Sequence, residues 1–270
     1  MKDLTGKVAV VTGGASGIGL ALCERFVSER MKVVVADIDE DRLEEVGAQL
    51  AIGGADVATK HCDTSSERDV QDLAQFALDR FGGAHVLCNN AGITGIGNAW
   101  NGPMEVWERT VGVNLYGVVF GVRAFLPIMV AQGEGHIVNT ASMAGLLAMP
   151  GGAAYNVTKH GVVALSEGLY LELKATASPL EVSVLCPGWV KTHIMDVDPD
   201  PGMGPVSSML TDYARAAVES GMAPAEVADR VWDAIMNNQF WILTHSEMRE
   251  FPVARMRRAA DQMNPPVALP

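Results

Sequence analysis

Seven short runs rich in β-branched and other apolar residues punctuate this 270-residue chain. They are KVAVVT (7–12), KVVVAD (32–37), VATKHCD (57–63), AHVLCNNAG (84–92), HIVNTAS (136–142), EVSVLCPGWVKT (181–192) and FWILT (240–244). The first two show no alternation of apolar with polar residues, so they read as strands covered on both faces. Between the runs, 39–50, 66–81, 104–131, 153–173 and 224–238 read as helices. Strand and helix taking turns in this way admit few folds. A parallel, doubly wound sheet of about seven strands follows, with right-handed crossovers and helices on both faces. At this length one sheet-centred domain buries roughly 75% of the surface its unfolded chain exposes. No repeat or linker divides the chain, so 1–245 is expected to be one Rossmann-like domain with a tail, 246–270.

In such sheets ligands bind beyond the C-terminal ends of the strands. The residues that end the predicted strands are therefore the candidates for chemistry. The first run passes into GGASGIG (13–19) and then into a helix. Gly13, Gly17 and Gly19 let the backbone approach a pyrophosphate, and a helix N-terminus supplies free N–H groups and a positive dipole end. A tight turn without a ligand is the plainer alternative. The second run ends in Asp37, about twenty positions beyond Gly19. That is where a carboxylate accepts a hydrogen bond from a ribose 2′-hydroxyl and repels a 2′-phosphate, so NAD is preferred over NADP. Asp37 as the N-cap of the next helix is compatible with that role. Asp63, Asn89–Gly92, Ser142 and Pro187–Thr192 end later strands on the same edge. Agreement among separate signals on one edge is the strongest feature of the chain.

Tyr155 and Lys159 are spaced i, i+4, on one face of a predicted helix. An ammonium near a phenol favours the phenolate, and a facing serine hydroxyl can hold a carbonyl oxygen. Asn114 lies among apolar and small residues, VGVNLYGVVFGV, and a buried amide needs partners. Bracing the strands and holding a water chain to the site both stay open for it.

Composition removes other classes. The net charge of −12 and the pI near 4.9 argue against nucleic acid or an anionic membrane as the main partner. Cys23, Cys62, Cys88 and Cys186 have no metal-ligand spacing and read as reduced core residues; no metal is expected. The long uncharged stretch 135–158 is broken by Asn, Ser, Gly and Pro, so a spanning helix is not expected. No signal peptide is visible at the start, MKDLTGK, and a cytoplasmic location is expected. Residues 193–222, with Met195, Met203 and Met209, are expected to form a lid or binding loop. Arg249, Arg255, Arg257 and Arg258 mark the tail as a solvated basic helix end, or as a packing surface for another subunit.

These residues resemble the short-chain dehydrogenase/reductase family over about 4–245. Thr12–Gly19 looks like its TGxxxGxG loop, Asn89–Gly92 like its NNAG strand end, and Pro187, Gly188 and Thr192 like its PGxxxT element. Asn114, Ser142, Tyr155 and Lys159 stand where the family's catalytic tetrad belongs. The resemblance implies hydride transfer between a nicotinamide cofactor, NAD(H) by the Asp37 argument, and a secondary alcohol or ketone. Tyr155 would be the acid–base, Lys159 would lower its pKa and bind the nicotinamide ribose, and Ser142 would fix the substrate oxygen. Asn114 would position a relaying water. Cofactor contact would fall to Gly13, Ser16, Gly17, Ile18, Gly19, Asp37, Asp63, Asn90, Ala91, Gly92, Tyr155, Lys159, Pro187, Gly188, Val190 and Thr192. Asp63 would touch adenine, Asn90 the adenosine side and Thr192 the carboxamide. A dimer or tetramer would form through 104–131 and 153–177, whose small residues (Gly112, Gly117, Gly121, Gly161, Ala164, Gly168) would admit a neighbour.

The expected substrate is a largely apolar small molecule. An NADP-dependent reductase of carrier-bound 3-oxoacyl groups would want a basic residue near position 37, where the chain has Asp37. A nucleotide-sensing protein without catalysis should lack Ser142, Tyr155 or Lys159, and all are present.

Overall fold

A computed structural model describes residues 3–196 and 205–266. Its centre is one seven-stranded parallel sheet: β1 (Val8–Thr12), β2 (Lys32–Asp37), β3 (Val57–His61), β4 (Val86–Asn89), β5 (His136–Thr140), β6 (Glu181–Cys186) and β7 (Trp241–Leu243). The spatial order is β3-β2-β1-β4-β5-β6-β7, so the chain reverses direction across the sheet between β1 and β4. That reversal opens a crevice at the strand C-termini, where Thr12 and Asn89 lie.

Successive strand residues feed two different cores. Ala9 and Val11 of β1, with Val33 and Val35 of β2, pack against α1 (Gly17–Ser28), α2 (Glu40–Leu50) and α8 (Pro224–Asn237). Val8 and Val10, with Val34 and Ala36, face α3 (Glu67–Phe81), α5 (Gly117–Gln132) and α6 (Ala153–Ala175) on the other side. Burial on both faces explains why the strands read as unbroken apolar runs. Phe26 and Phe125, fully buried on opposite faces, each contribute about 1.5–3 kcal/mol.

Helix boundaries follow the capping chemistry. Ser66 accepts from Asp69 N at 3.3 Å to open α3, the bond expected of an N-cap serine. Gly82, with φ +80, closes the same helix. The cap of α2 is Asp39, which accepts from Arg42 N at 3.0 Å. Asp37 is thus not the cap, and its carboxylate is used elsewhere.

The single helix expected over 104–131 is three pieces: α4 (Met104–Val111), a π-turn (Gly112–Tyr116) and α5. A π-turn inserts one residue and re-aims the side chains around it. Here it turns Asn114 fully inward. Met104–Gln132 is long and apolar enough to cross a bilayer by composition alone, yet its inner face supplies Val118, Val122, Phe125 and Met129 to the cores.

Most of the small residues expected to admit a neighbouring subunit serve contacts within the chain. A Cβ on Gly121 would overlap the Asn89 amide, one on Gly117 would lie 3.1 Å from Thr64, one on Gly112 3.3 Å from Ser65, and one on Gly161 3.0 Å from Leu115. Only Ala164, which is exposed, and Gly168, whose Cβ would meet nothing within 4 Å, keep an open face.

The segment 193–222 is more regular than its composition suggested. A 3-10 turn, His193–Met195, and the 15-residue α7 (Pro205–Glu219) account for much of it. Met195 is buried, Met209 is exposed, and Met203 lies outside the described residues. In the tail, α9 (Glu250–Ala260) buries no residue and touches the body through Arg255 Nη1, which donates to Leu146 O at 3.1 Å.

Candidate active site

β5 delivers Ser142 two residues past its end. There the serine caps a 3-10 turn, Met143–Gly145, and its Oγ accepts from Ala144 N at 3.1 Å. A Cβ on Gly145 would sit 2.6 Å from the Lys159 carbonyl, so glycine lets this turn close onto α6. The first turns of α6 carry Tyr155 and Lys159. The Ser142 hydroxyl forms a hydrogen bond with the Tyr155 phenol. Lys159 Nζ is 5.6 Å from the centre of the Tyr155 ring and donates to Thr140 O at 2.9 Å.

Burial dominates the electrostatics of this pair. It lifts the Tyr155 phenol above its ordinary value, with the Ser142 hydrogen bond opposing. It lowers Lys159 to about 8, against a smaller opposing pull from Cys186. Desolvation penalises both charged forms, so each group leans toward neutrality. The lysine keeps its proton-donating geometry through the Thr140 carbonyl, a partner that no side-chain motif reveals.

Asn114 accepts from Ile93 N at 2.8 Å and donates to Ile93 O at 2.9 Å. Its side chain thus braces the backbone just past Asn89–Gly92. A Cβ on Gly92 would lie 3.4 Å from both Asn114 Oδ1 and Lys159 Nζ, which brings three of the expected residues to one point.

The glycine loop is knitted to the end of β4. Gly13 has φ +62, and a Cβ there would meet Ala91 Cα at 2.9 Å; one on Gly19 would overlap the Gly13 carbonyl. Thr12 Oγ1 accepts from Asn90 N at 3.0 Å and Ala91 N at 3.1 Å. The Asn90 amide donates to Thr12 O at 3.1 Å and accepts from Thr140 Oγ1 at 3.4 Å. These bonds fix Asn90, half-buried, between the glycine loop and β5.

The loop fits a dinucleotide on its own chemistry. Ser16 precedes α1 without a side-chain cap, and no acid stands in the first turn, so the donors there face no competing carboxylate. Ile18 stands in that first turn. Asp37 reaches the same loop: its Oδ2 accepts from Ala15 N at 3.0 Å and its Oδ1 from Ile38 N at 2.8 Å. Asp63 lies two residues past β3, with Oδ1 held by Ser65 N at 2.9 Å. On the far side Thr192 packs on the loop, since a Cβ on Gly17 would be 3.0 Å from Thr192 Cγ2. Pro187 O accepts from Met143 N at 2.8 Å and lies 3.5 Å from Ser142 Oγ. Val190 is buried and bridges to Met222.

Two participants escaped the sequence analysis. Thr12 was marked by its loop pattern, but its bonds to Asn90 N and Ala91 N are visible only in the structure. The chain Asn89–Asn139–Ser166, bonded at 2.9 and 3.0 Å beneath the site, reads as unremarkable polar residues in strands and a helix. His245 meets the Pro187–Trp189 turn from 57 residues away. All four cysteines are buried and free, and among the described residues no group of three or more His, Cys, Asp or Glu could hold a metal.

Comparison with known proteins agrees with this arrangement. The family model described as short chain dehydrogenase matches residues 7–200. 1-deoxy-11-beta-hydroxypentalenate dehydrogenase of Streptomyces exfoliatus is 36% identical over 267 residues, 98% of this chain and 90% of that one. A short chain dehydrogenase/reductase from Burkholderia phymatum, solved in complex with NAD, superposes with a TM-score of 0.96 at 39% identity over 100% of both chains. An actinorhodin polyketide ketoreductase variant solved with NADPH has a TM-score of 0.77 at 30% identity, covering 90% of this chain and 97% of that one. A glycine loop, a strand edge and a Ser–Tyr–Lys cluster stand in this order on a sheet that the Burkholderia structure matches throughout, and the chain belongs to the short-chain dehydrogenase/reductase family of oxidoreductases, which exchange a hydride between a nicotinamide cofactor and a hydroxyl or keto group.

Proposed function

We propose that this oxidoreductase uses NAD(H) rather than NADP(H) and acts on a secondary alcohol or ketone of a largely apolar small molecule. The observation that carries the cofactor choice is Asp37, whose carboxylate is fixed at the mouth of the glycine loop by Ala15 N. A carboxylate there accepts a bond from a ribose hydroxyl and repels a 2′-phosphate. Gly13–Gly19, Asp37, Asp63, Ala91, Gly92 and the 187–192 turn would hold the cofactor. When bound, the nicotinamide takes or gives the hydride.

The chain's own residues handle the proton. Tyr155, with its pKa raised, holds its proton at neutral pH and is ready to donate it to a carbonyl oxygen. In the opposite direction it must first ionise, and then it accepts the hydroxyl proton. Ser142 donates to the substrate oxygen and stabilises charge developing there. Lys159, held on the Thr140 carbonyl, steadies the phenolate once formed and passes protons outward past Asn114. The apolar character of the substrate rests on buried Met195 and on an aromatic pair beside the turn. Trp189 and Tyr213 meet edge to face with centroids 6.2 Å apart, the arrangement aromatic pairs prefer. The Streptomyces exfoliatus relative, named as dehydrogenase of a hydroxypentalenate, agrees with a hydroxyl-bearing substrate.

Titration with NADH and NADPH, followed by a panel of secondary alcohols and ketones, tests the reading. NADH should bind at least about tenfold tighter, and Asp37→Ser should narrow that gap. Equal affinities in the natural chain would refute the NAD assignment.

Assembly through the outer faces of α5 and α6 belongs to the same proposal. Val130, Val157 and Leu171 are exposed there, with Tyr116 of the preceding π-turn, and a dimer or tetramer would cover them. A monomeric mass in solution would refute it. Four buried, free cysteines suit a cytoplasmic location.

A further inference from the structure

We infer that His245 is a positioning residue for the nicotinamide-side turn, Pro187–Thr192. The inference rests on the reading above, in which that turn contacts the cofactor. His245 follows β7 by two residues and is 8% exposed. Its Nδ1 accepts from Gly188 N at 3.1 Å and lies 2.7 Å from Thr244 Oγ1. With Nδ1 occupied as an acceptor, the ring carries its proton on Nε2. Nε2 then donates to Trp189 O at 3.1 Å. One imidazole therefore clasps two consecutive residues of the turn, using both nitrogens in the neutral tautomer.

The clasp is tight. A Cβ on Gly188 would lie 2.8 Å from His245 Cγ and 2.6 Å from Met248 Sδ, so the backbone runs directly over the ring. The rest of the turn is tied on other sides. Pro187 O takes Met143 N from the serine turn, while Trp189 O accepts from Met222 N at 2.9 Å and Lys191 N donates to Met222 O at 3.0 Å. Those ties fix Pro187 and the far end of the turn. Only His245 holds the Gly188 N–H, among the described residues. Its loss would free the middle of a turn whose ends touch Ser142 and, through Thr192, the glycine loop. The imidazole touches neither Tyr155 nor Ser142 in any bond, so it acts through the turn.

Substitution separates this role from simple support of the fold. His245→Asn keeps an acceptor at the δ position for Gly188 N–H; His245→Leu removes both bonds. NADH affinity, read by the fluorescence of the bound reduced cofactor, should fall about tenfold in His245→Leu and stay within about twofold in His245→Asn. The leucine variant should raise KM for NAD by a similar factor and change kcat less. Should that variant fail to fold, His245→Gln, which reaches Trp189 O but not Gly188 N–H, should weaken NADH in the same way. Unchanged affinity in His245→Leu or His245→Gln, or equal loss in His245→Asn, would overturn the assignment. The affinity measurement does not pass through the chemical step. Failure of the acid–base reading would instead appear as turnover retained by Tyr155→Phe.

Discussion

Tyr155 and Lys159 illustrate how two buried groups of opposite charge type meet one penalty. Burial moves the phenol up and the ammonium down to about 8, so the pair is closest to neutral when nothing charged lies beside it. A protonated phenol is an acid. Carbonyl reduction should therefore be favoured at neutral pH, and alcohol oxidation should speed up as pH rises and the phenolate becomes available. Initial rates in both directions from pH 6 to 10 check this; an oxidation rate that falls with pH would reverse the assignment. Tyr155→Phe removes the proton and leaves the ring. Turnover should drop by about 10²-fold or more, the scale of general acid–base catalysis, while NADH affinity changes little. Activity and affinity measured on one preparation separate the two effects.

At the scale of elements, two glycines on the helices that flank the site make opposite predictions. Gly121 of α5 lies against the Asn89 amide, and a methyl there would overlap it. Gly121→Ala should destabilise the chain by about 1–3 kcal/mol, as overpacking does. It should also disturb the Asn89–Asn139–Ser166 chain beneath the site. Gly168 of α6 faces open space. Gly168→Ala should stabilise the isolated chain, measured at a dilution where any assembly on that face is dissociated, by up to about 1 kcal/mol, since glycine is the costlier residue inside a helix. Chemical denaturation of the two variants measures both signs. The contrast also shows where sequence reading stops. Strands and helices were legible because burial on both faces leaves apolar runs, and because Ser66, Gly82 and Gly133 mark helix ends by local chemistry. The edge carrying Ser142, Asp37 and the glycine loop was legible for the same reason, since strand ends locate it. The π-turn at Gly112–Tyr116 was not, because VGVNLYG has no proline and its glycines do not mark where an extra residue is inserted. Nor did small size reveal which glycines face inward. Contacts such as His245 to Gly188, or Lys159 to the Thr140 carbonyl, join distant backbone atoms and leave no periodic trace.

Across the whole molecule, the reaction's acid–base pair and the most strongly shifted histidine sit at opposite edges of the sheet. The site occupies the strand C-termini, whereas His136 opens β5 at the other end, 1% exposed. Ser183 Oγ donates to Gln239 O at 2.7 Å and lies 2.7 Å from His136 Nε2. With its one proton spent on Gln239, the serine accepts from His136 Nε2, which therefore carries the ring's proton. Nδ1 is buried without a partner. Burial lowers the His136 pKa to about 3 from an ordinary 6.5. Between those values the unfolded chain binds a proton that the folded chain refuses. The contribution is therefore whole above about pH 6.5 and is lost as pH falls toward 3. His136→Gln removes that titration but also some packing, so it should be the less stable protein at pH 7. Its deficit should then shrink by about 1.4 kcal/mol for each pH unit below about 6, until the two curves converge. Urea unfolding at pH 7, 6, 5 and 4 measures the difference, and parallel curves would show that His136 is not the group responsible. Because this residue lies away from Tyr155, the variant should keep the pH profile of turnover wherever it is folded. Acid sensitivity of the fold and pH dependence of the reaction should thus be separable by a single substitution.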